Sequence, residues 1–565
     1  MPQAQRKTNW TIIAYAGLLG VLVAIGGLIS KHVPDAYMDE PFHVDQTEAY
    51  CAWDFKYWNP KITTFPGLYI LGAAYAHVLS LLSAEGLEKV EDNCDTITLR
   101  SCTMLMGILS FWLFSQIHEE LHPDKKGAYA MTLAGVAILQ PLHFFFLFLY
   151  YTDAGSTAMI LAAYLACLRS RYGLAALACA AATAFRQTNA VWAAFILGVA
   201  VLQHTLGTPT SVRRVPLQGE LDPSAPEALA AVPSLKFSDT QQQQSNGRRP
   251  MIPAATESPQ IATPSASAPS ATSRTSQKPP INGGKASASA AKAAKPSGLQ
   301  PLKAAATEPG SSRGEPRRSL WHDLRKILGL AWECRMLLAL QLWSLAAVPI
   351  AFLGFMVYNG GIVVGDRTAH APALHLAQPL YCLLFILGSL APYHLNPSRL
   401  QGAWNRLKQH HASTWACLAV GAGALSSAIA VGTIAHPYLL ADNRHYTFYL
   451  WRRVMMAHPA VPYALVPVYM YAAWSIHDSL TRRQSQAWIA GLAAGTCITL
   501  MPAALLELRY YIVPFMLVLL HMEPMSRWQL AGVGIIFAII NGATIWTFAY
   551  DSFTAPDGSV GRFMW

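Results

Sequence analysis

Apolar runs recur along the chain near residues 10–30, 99–116, 128–148, 156–168, 172–184 and 190–204, and again near 328–357, 376–392, 413–434, 460–476, 487–506 and 529–548. A helix needs roughly 20 apolar residues to cross a bilayer core of about 30 Å. The pattern therefore predicts about a dozen membrane-crossing helices. Two stretches read differently. Residues 65–83 open on Phe65-Pro66-Gly67 and are expected to enter the membrane surface without crossing it, with a true span as the alternative. Residues 511–522 are short enough to be re-entrant. The run at 10–30 has the length of a full span and reads as an anchor rather than a cleaved leader.

Basic residues mark the cytoplasmic ends of such helices. Arg6 and Lys7 place the N-terminal tail there, with Lys125-Lys126, Arg169, Arg171, Arg399 to Lys408 and Arg482-Arg483. Segments 31–97, 150–155, 185–189, 358–375, 435–459 and 507–511 then fall on the opposite face. The acidic stretch 85–95 belongs with them only if 65–83 does not cross; a crossing there would put five acids in the cytoplasm.

Composition agrees. Only 13% of the 565 residues are charged, against about 25% in a soluble chain, and 53% are hydrophobic. The net charge of +10 is concentrated: residues 206–326 hold 16 Lys or Arg against 8 Asp or Glu. That stretch is rich in Ala, Ser, Pro, Thr and Gln, cannot bury enough apolar surface to offset its ordering entropy, and is expected to be disordered. It divides the chain into an N-terminal transmembrane module (1–205), a basic cytoplasmic linker (206–326) and a C-terminal transmembrane module (327–565). Basic charge confined to one such linker is no argument for nucleic acid as a partner. The nine cysteines show no zinc-ligand spacing.

The candidate chemistry sits in the non-cytoplasmic loops. After the first span comes Tyr37-Met38-Asp39-Glu40-Pro41-Phe42-His43, then Gln46. One of the adjacent carboxylates, Asp39 or Glu40, could act as a general base while the other bonds substrate and His43 orients either. Equally, the pair could do no more than offset a helix dipole. Asp39 and His43 at i, i+4 could also share a metal, but no third ligand is in sight. In the next loop Lys61 could reach an anionic headgroup, although its Pro-Gly-rich surroundings read first as a turn. Tyr151 and Asp153, Arg186 and Gln187, Asp366 and Arg367, Arg444 and His445, and Glu507, Arg509 and Tyr510 follow on the same face. Singly, each could be an interfacial anchor. Together they supply what a phosphate-linked sugar requires: guanidinium forks for phosphate, carboxylates for hydroxyls and rings for sugar faces.

The runs Tyr37-Met-Asp-Glu-x-Phe-His43, Asn59-Pro-Lys-Ile-Thr-Thr-x-Pro-Gly-Leu-Tyr69, Leu149-Tyr-Tyr-Thr-Asp153, Arg186-Gln-Thr-Asn189, Asn359-Gly-Gly-Ile-Val-Val-Gly-Asp366, His436-Pro-Tyr-Leu-Leu-Ala-Asp-Asn-Arg-His-Tyr446, Arg509-Tyr-Tyr511 and Arg562-Phe-Met-Trp565 resemble the dolichyl-phosphate-glucose-dependent α-1,2-glucosyltransferases. These enzymes add the last glucose to the lipid-linked oligosaccharide used in N-glycosylation. The linker departs from the shorter connection expected of that family. The resemblance implies an all-α, GT-C type fold of about 12–14 membrane segments in the endoplasmic reticulum membrane, with a lumenal active site. It implies dolichyl-phosphate-glucose as donor, a diglucosylated dolichyl-diphosphate oligosaccharide as acceptor, Asp39 as base with Glu40 adjacent, and a membrane-parallel 65–83. Cys51 and Cys94 would share an oxidising compartment and could pair. Arg509, with Arg444 or Arg186 as rivals, would hold the leaving phosphate. That phosphate is already anionic, so neither metal nor cofactor is called for. Another polyprenyl-phosphate-sugar transferase would share the early Asp-Glu and the arginines but not the His436–Tyr446 and Asn359–Asp366 runs, and a non-enzymatic channel modulator would need only the spans.

Overall fold

A computed structural model describes residues 3–82, 93–206, 320–365, 372–409, 412–554, 558 and 560–565. The linker between 207 and 319, most of the acidic stretch 85–95, and Asp366 and Arg367 lie outside the described residues. The architecture is all-α. Among the described residues five helices are long and apolar enough to cross a membrane: Trp10–His32, Thr96–Leu121, Arg335–Asn359, Ala412–Gly432 and Arg527–Tyr550. Eight shorter apolar helices accompany them. The one sheet among the described residues is a two-stranded antiparallel ribbon, Ser552–Thr554 with Val560–Arg562.

Residues before and after the linker share one core. Thr96–Leu121 packs on Ala128–Ile138 and Thr152–Leu168, while Arg335–Asn359 packs on Tyr172–Phe185 and Asn189–Leu206. Phe111, Phe114, Phe144 to Phe148, Phe515 and Phe537 are buried in a single apolar cluster. Outward faces are apolar too: Leu340, Trp343, Ile350 and Val357 of one long helix and Val420 and Val431 of another are exposed. So much exposed apolar surface suits lipid, not water.

Several predicted spans are broken. The run 128–148 divides because Pro141 has no N–H to continue the first helix; it opens the short Pro141–Phe145 helix, capped by the Gln140 side chain accepting from the His143 N–H. The run 328–357 begins earlier than expected, as an amphipathic helix Leu320–Glu333, and restarts at Arg335. The run 487–506 ends as a helix at Leu500, just before Pro502.

Residues Gly67–Leu82 form a 16-residue helix, about 24 Å long at 1.5 Å per residue. That is short of the bilayer core. It packs on Glu40–Cys51, and the approach depends on Gly72: a Cβ there would collide with the Tyr150 hydroxyl. Cys51, at the end of that helix, is disulfide-bonded to Cys94. The link ties the loop after the first span to the start of Thr96–Leu121.

Candidate active site

The Trp10–His32 helix leads through an irregular segment to Met38, whose φ of 61° is left-handed. That conformation is uncommon for a residue with a side chain and tends to mark functional loops. It turns the chain so that Asp39 becomes the N-cap of Glu40–Cys51. Asp39 occupies the capping position without capping: its carboxylate accepts no bond from the helix, and among the described residues it has no hydrogen bond or ion pair. The side chain is exposed, while its backbone N–H donates to Tyr151 Oη at 3.1 Å.

Glu40 is the opposite case. It is fully buried and bidentate with Arg100, Nε to Oε1 at 2.9 Å and Nη2 to Oε2 at 2.6 Å. The same two oxygens accept the backbone N–H groups of Tyr150 and Tyr37. Arg100 also donates to the carbonyls of Val33 and Asp35. One buried guanidinium therefore gathers the whole link between the first span and Asp39.

Two arginines from distant parts of the chain meet at Asp153, and one of them, Arg509, is near enough to Asp39 to feel its charge. Arg186, at the end of Tyr172–Phe185, reaches Asp153 Oδ1 at 3.1 Å and Thr152 Oγ1 at 3.0 Å, and its guanidinium lies 5.1 Å from the Tyr510 ring centre. Arg509 lies 3.6 Å from Asp153, 2.9 Å from Glu507, and over the rings of Phe146 and Tyr151. Asp153 is thus shared by both cations. Tyr151 connects this pair to the Asp39 loop, since its ring underlies Arg509 and its hydroxyl accepts the Asp39 backbone N–H. A small cleft lined by Ser156, Asn189 and Thr499 adjoins the cluster, and the buried Thr499 hydroxyl has no partner among the described residues.

His43, one turn beyond Asp39, has Nδ1 2.9 Å from Tyr69 Oη and its ring edge against Tyr151. Desolvation, then the Arg509 charge, lowers its pKa from 6.5 to about 3. It is a neutral hydrogen-bonding group, not a cation. Because its folded pKa is depressed, the unfolded chain binds the proton more readily. Stability contributed by neutral His43 is complete above about pH 6.5 and is lost as pH falls towards 3. His43→Gln is therefore expected to shrink the drop in Tm between pH 7.5 and pH 5 in detergent; an unchanged drop would contradict it.

The remaining expected site residues divide into three groups. Gln46 and Gln187 are buried in structural bonds. Gln46 donates to the Tyr57 carbonyl and accepts the Asn59 N–H, and Gln187 donates to the Thr63 carbonyl. Both pin the 52–66 loop. Lys61 is exposed on that loop. Arg444 and His445 form a second cluster. Arg444 chelates Asp442 at 2.8 and 2.9 Å, and His445 Nδ1 is 2.9 Å from the Trp565 carbonyl. This cluster adjoins the Asp39 loop through Tyr37, whose hydroxyl donates to the Arg562 carbonyl and accepts its N–H. The 360–365 loop also reaches the site's edge, Val364 N–H donating to the Thr63 carbonyl. Sequence reading passed over Arg100, although an arginine inside an otherwise apolar run is itself a signal of function. Tyr69 and Tyr37 carried no such signal.

Among the described residues no group of three or more His, Cys, Asp or Glu is arranged to hold a metal. No solved structure matches the chain. Relatives do. A plant protein from Arabidopsis thaliana called Dol-P-Glc:Glc(2)Man(9)GlcNAc(2)-PP-Dol alpha-1,2-glucosyltransferase is 33% identical over 98% of this chain and 99% of its own. Proteins of the same name from Rattus norvegicus and Homo sapiens are 30% and 28% identical, each covering 95% of this chain and 94% of their own length. The DIE2/ALG10 family matches residues 33–520, a range that holds the Asp39 loop, Arg100 and the Arg186–Asp153–Arg509 cluster together. The chain belongs to the DIE2/ALG10 family.

Proposed function

We propose that this protein transfers glucose from dolichyl-phosphate-glucose to the terminal glucose of the diglucosylated oligomannose dolichyl-diphosphate precursor, forming an α-1,2 linkage in the endoplasmic reticulum membrane. The shared name of its relatives supports the substrates. The observation that carries the site is an exposed carboxylate, Asp39, without a hydrogen bond or ion pair among the described residues, within the field of Arg509, which with Arg186 converges on Asp153.

The acceptor 2-hydroxyl attacks the anomeric carbon as its proton passes to Asp39. The C1–O bond to phosphate breaks, the configuration inverts from β to α, and dolichyl phosphate leaves with one more negative charge than it had as a diester. Arg509 and Arg186, held in place by Asp153, receive that charge, as a preorganised cation stabilises any developing oxyanion. Glu40 does not touch substrate on this reading. It is a positioning residue that sets the Asp39 loop through Arg100. Arg444 and His445 shape the far wall, where acceptor sugar hydroxyls would lie.

The disulfide between Cys51 and Cys94 supports a lumenal position for this cluster, because such bonds persist in oxidising compartments. The linker would then be cytoplasmic. The test is conversion: purified full-length protein should consume the donor only when the diglucosylated lipid is supplied, yielding one added glucose. Arg509→Gln should lower kcat by about 100- to 1,000-fold, while Arg444→Gln, whose guanidinium is engaged by Asp442, should cost far less. No donor consumption by the wild type would reject the function. A larger loss from Arg444→Gln would move the phosphate to the other cluster.

A further inference from the structure

A cavity of about 530 Å³ opens at the other end of the helix bundle, between Arg399, Arg406, Trp474, Asp478, Arg482 and Glu523. The Thr96–Leu121 helix spans from one site to the other. Arg100 near its start grips Glu40, and Lys125, just past its end, lines the cavity. Twenty-six residues at 1.5 Å per residue give a length of about 39 Å, more than the bilayer core of about 30 Å. The cavity and Asp39 therefore face water on opposite sides of the membrane.

Four cations, Lys125, Arg399, Arg406 and Arg482, line the cavity against two carboxylates, Asp478 and Glu523. Asp478 is almost fully buried and carries three guanidiniums at once: Arg406 at 3.3 Å, Arg482 at 3.4 Å and Arg399 at 4.0 Å. Arg482 also reaches Glu523 at 3.5 Å, and the two carboxylates together cannot neutralise the four cations. The arginines are also held in position. Arg399 lies over the Tyr393 ring and donates to its hydroxyl at 2.7 Å, and Arg406 lies over Trp474. The N-terminus of the 24-residue Arg527–Tyr550 helix contributes Ser526 and Gln529 to the lining, and its dipole favours negative charge there. Fixed guanidinium forks and a helix N-terminus are the donors that phosphate oxygens select. The excess of two positive charges matches a phosphate monoester, which carries about −1.5 to −2 at pH 7.

The mouth adjoins the amphipathic helix Pro397–Gln409. It carries Arg399, Arg406 and Lys408, with Leu400 and Trp404 exposed, the pattern of a helix lying in the membrane interface. We propose that this cavity is a binding site for a phosphate monoester on the face of the membrane opposite the glucosyl-transfer site, either as the headgroup of an anionic lipid or as free phosphate.

Titration of the full-length protein in detergent with short-chain phosphatidate, short-chain phosphatidylcholine and inorganic phosphate tests this. Phosphatidate is expected to bind at least about tenfold more tightly than phosphatidylcholine, and Arg406→Gln/Arg482→Gln to weaken it by about tenfold or more. Lys125→Gln should weaken it too, and because the Lys125 side chain has no ion-pair partner among the described residues it does so without disturbing packing. Lys408→Gln, stacked on Trp404 outside the cavity, should change nothing. Phosphatidate binding tighter than inorganic phosphate identifies a lipid headgroup as the source; equal affinity identifies free phosphate. Absence of any preference over phosphatidylcholine, or full affinity in both the double variant and Lys125→Gln, overturns the proposal.

Discussion

Asp39→Asn is expected to lower turnover by about 100- to 10,000-fold, the usual contribution of a positioned general base, while dolichyl-phosphate-glucose still binds. The substitution is nearly isosteric, and the fold has little reason to notice it. Asp39 caps nothing, its carboxylate has no partner among the described residues, and the bond to Tyr151 comes from the backbone and survives. In the proposed mechanism, what is lost is the acceptor for the proton of the attacking hydroxyl. Measured kcat should therefore fall while Tm and donor affinity stay close to the wild type. Removal of a negative charge beside Arg509 also leaves that cation freer for phosphate, so donor affinity should not weaken. A variant that retains half its turnover, or that loses turnover together with Tm, would dismiss Asp39 as the base.

The parts of this site legible in the sequence were those whose chemistry is independent of partners. Asp39, Asp153, Arg186, Glu507 and Arg509 are ionisable groups at the ends of apolar runs, and such groups are costly near a membrane unless paired or functional. Their convergence was expected, and the structure brings the last four within ion-pairing distance. Residue types alone could not tell Asp39 from Glu40, although the resemblance implied Asp39 as base; two adjacent carboxylates look alike until one of them meets Arg100. The same holds for Gln46 and Gln187. An amide can bond a sugar or a backbone carbonyl, and only the folded loop 52–66 decides between them. For the helices, hydropathy located the apolar segments but not their breaks. Pro141 announces one; Cys334, between two good helix-forming stretches, announces nothing. The amphipathic Leu320–Glu333 escaped because its apolar residues form a stripe rather than a run.

Arg100→Met should destabilise the folded protein by about 3–5 kcal/mol, the cost of leaving the other member of a buried pair without its charge partner. Glu40 has almost no route to water, and Arg100 supplies two of the four donors around it. The carbonyls of Val33 and Asp35 lose their donor as well. Glu40→Gln should also be costly, for a different reason. Its oxygens accept the N–H groups of Tyr37 and Tyr150, and a glutamine must turn its own NH₂ towards one of them. The double variant Arg100→Met/Glu40→Gln removes both charges, so it should lose less stability than the two single losses added together. Thermal unfolding in detergent gives the coupling. Strict additivity would mean that the pair is not coupled. Turnover supplies an independent reading. Because Arg100 fixes the backbone just before Asp39, Arg100→Lys, which keeps the charge but not the fork, should restore stability more fully than kcat.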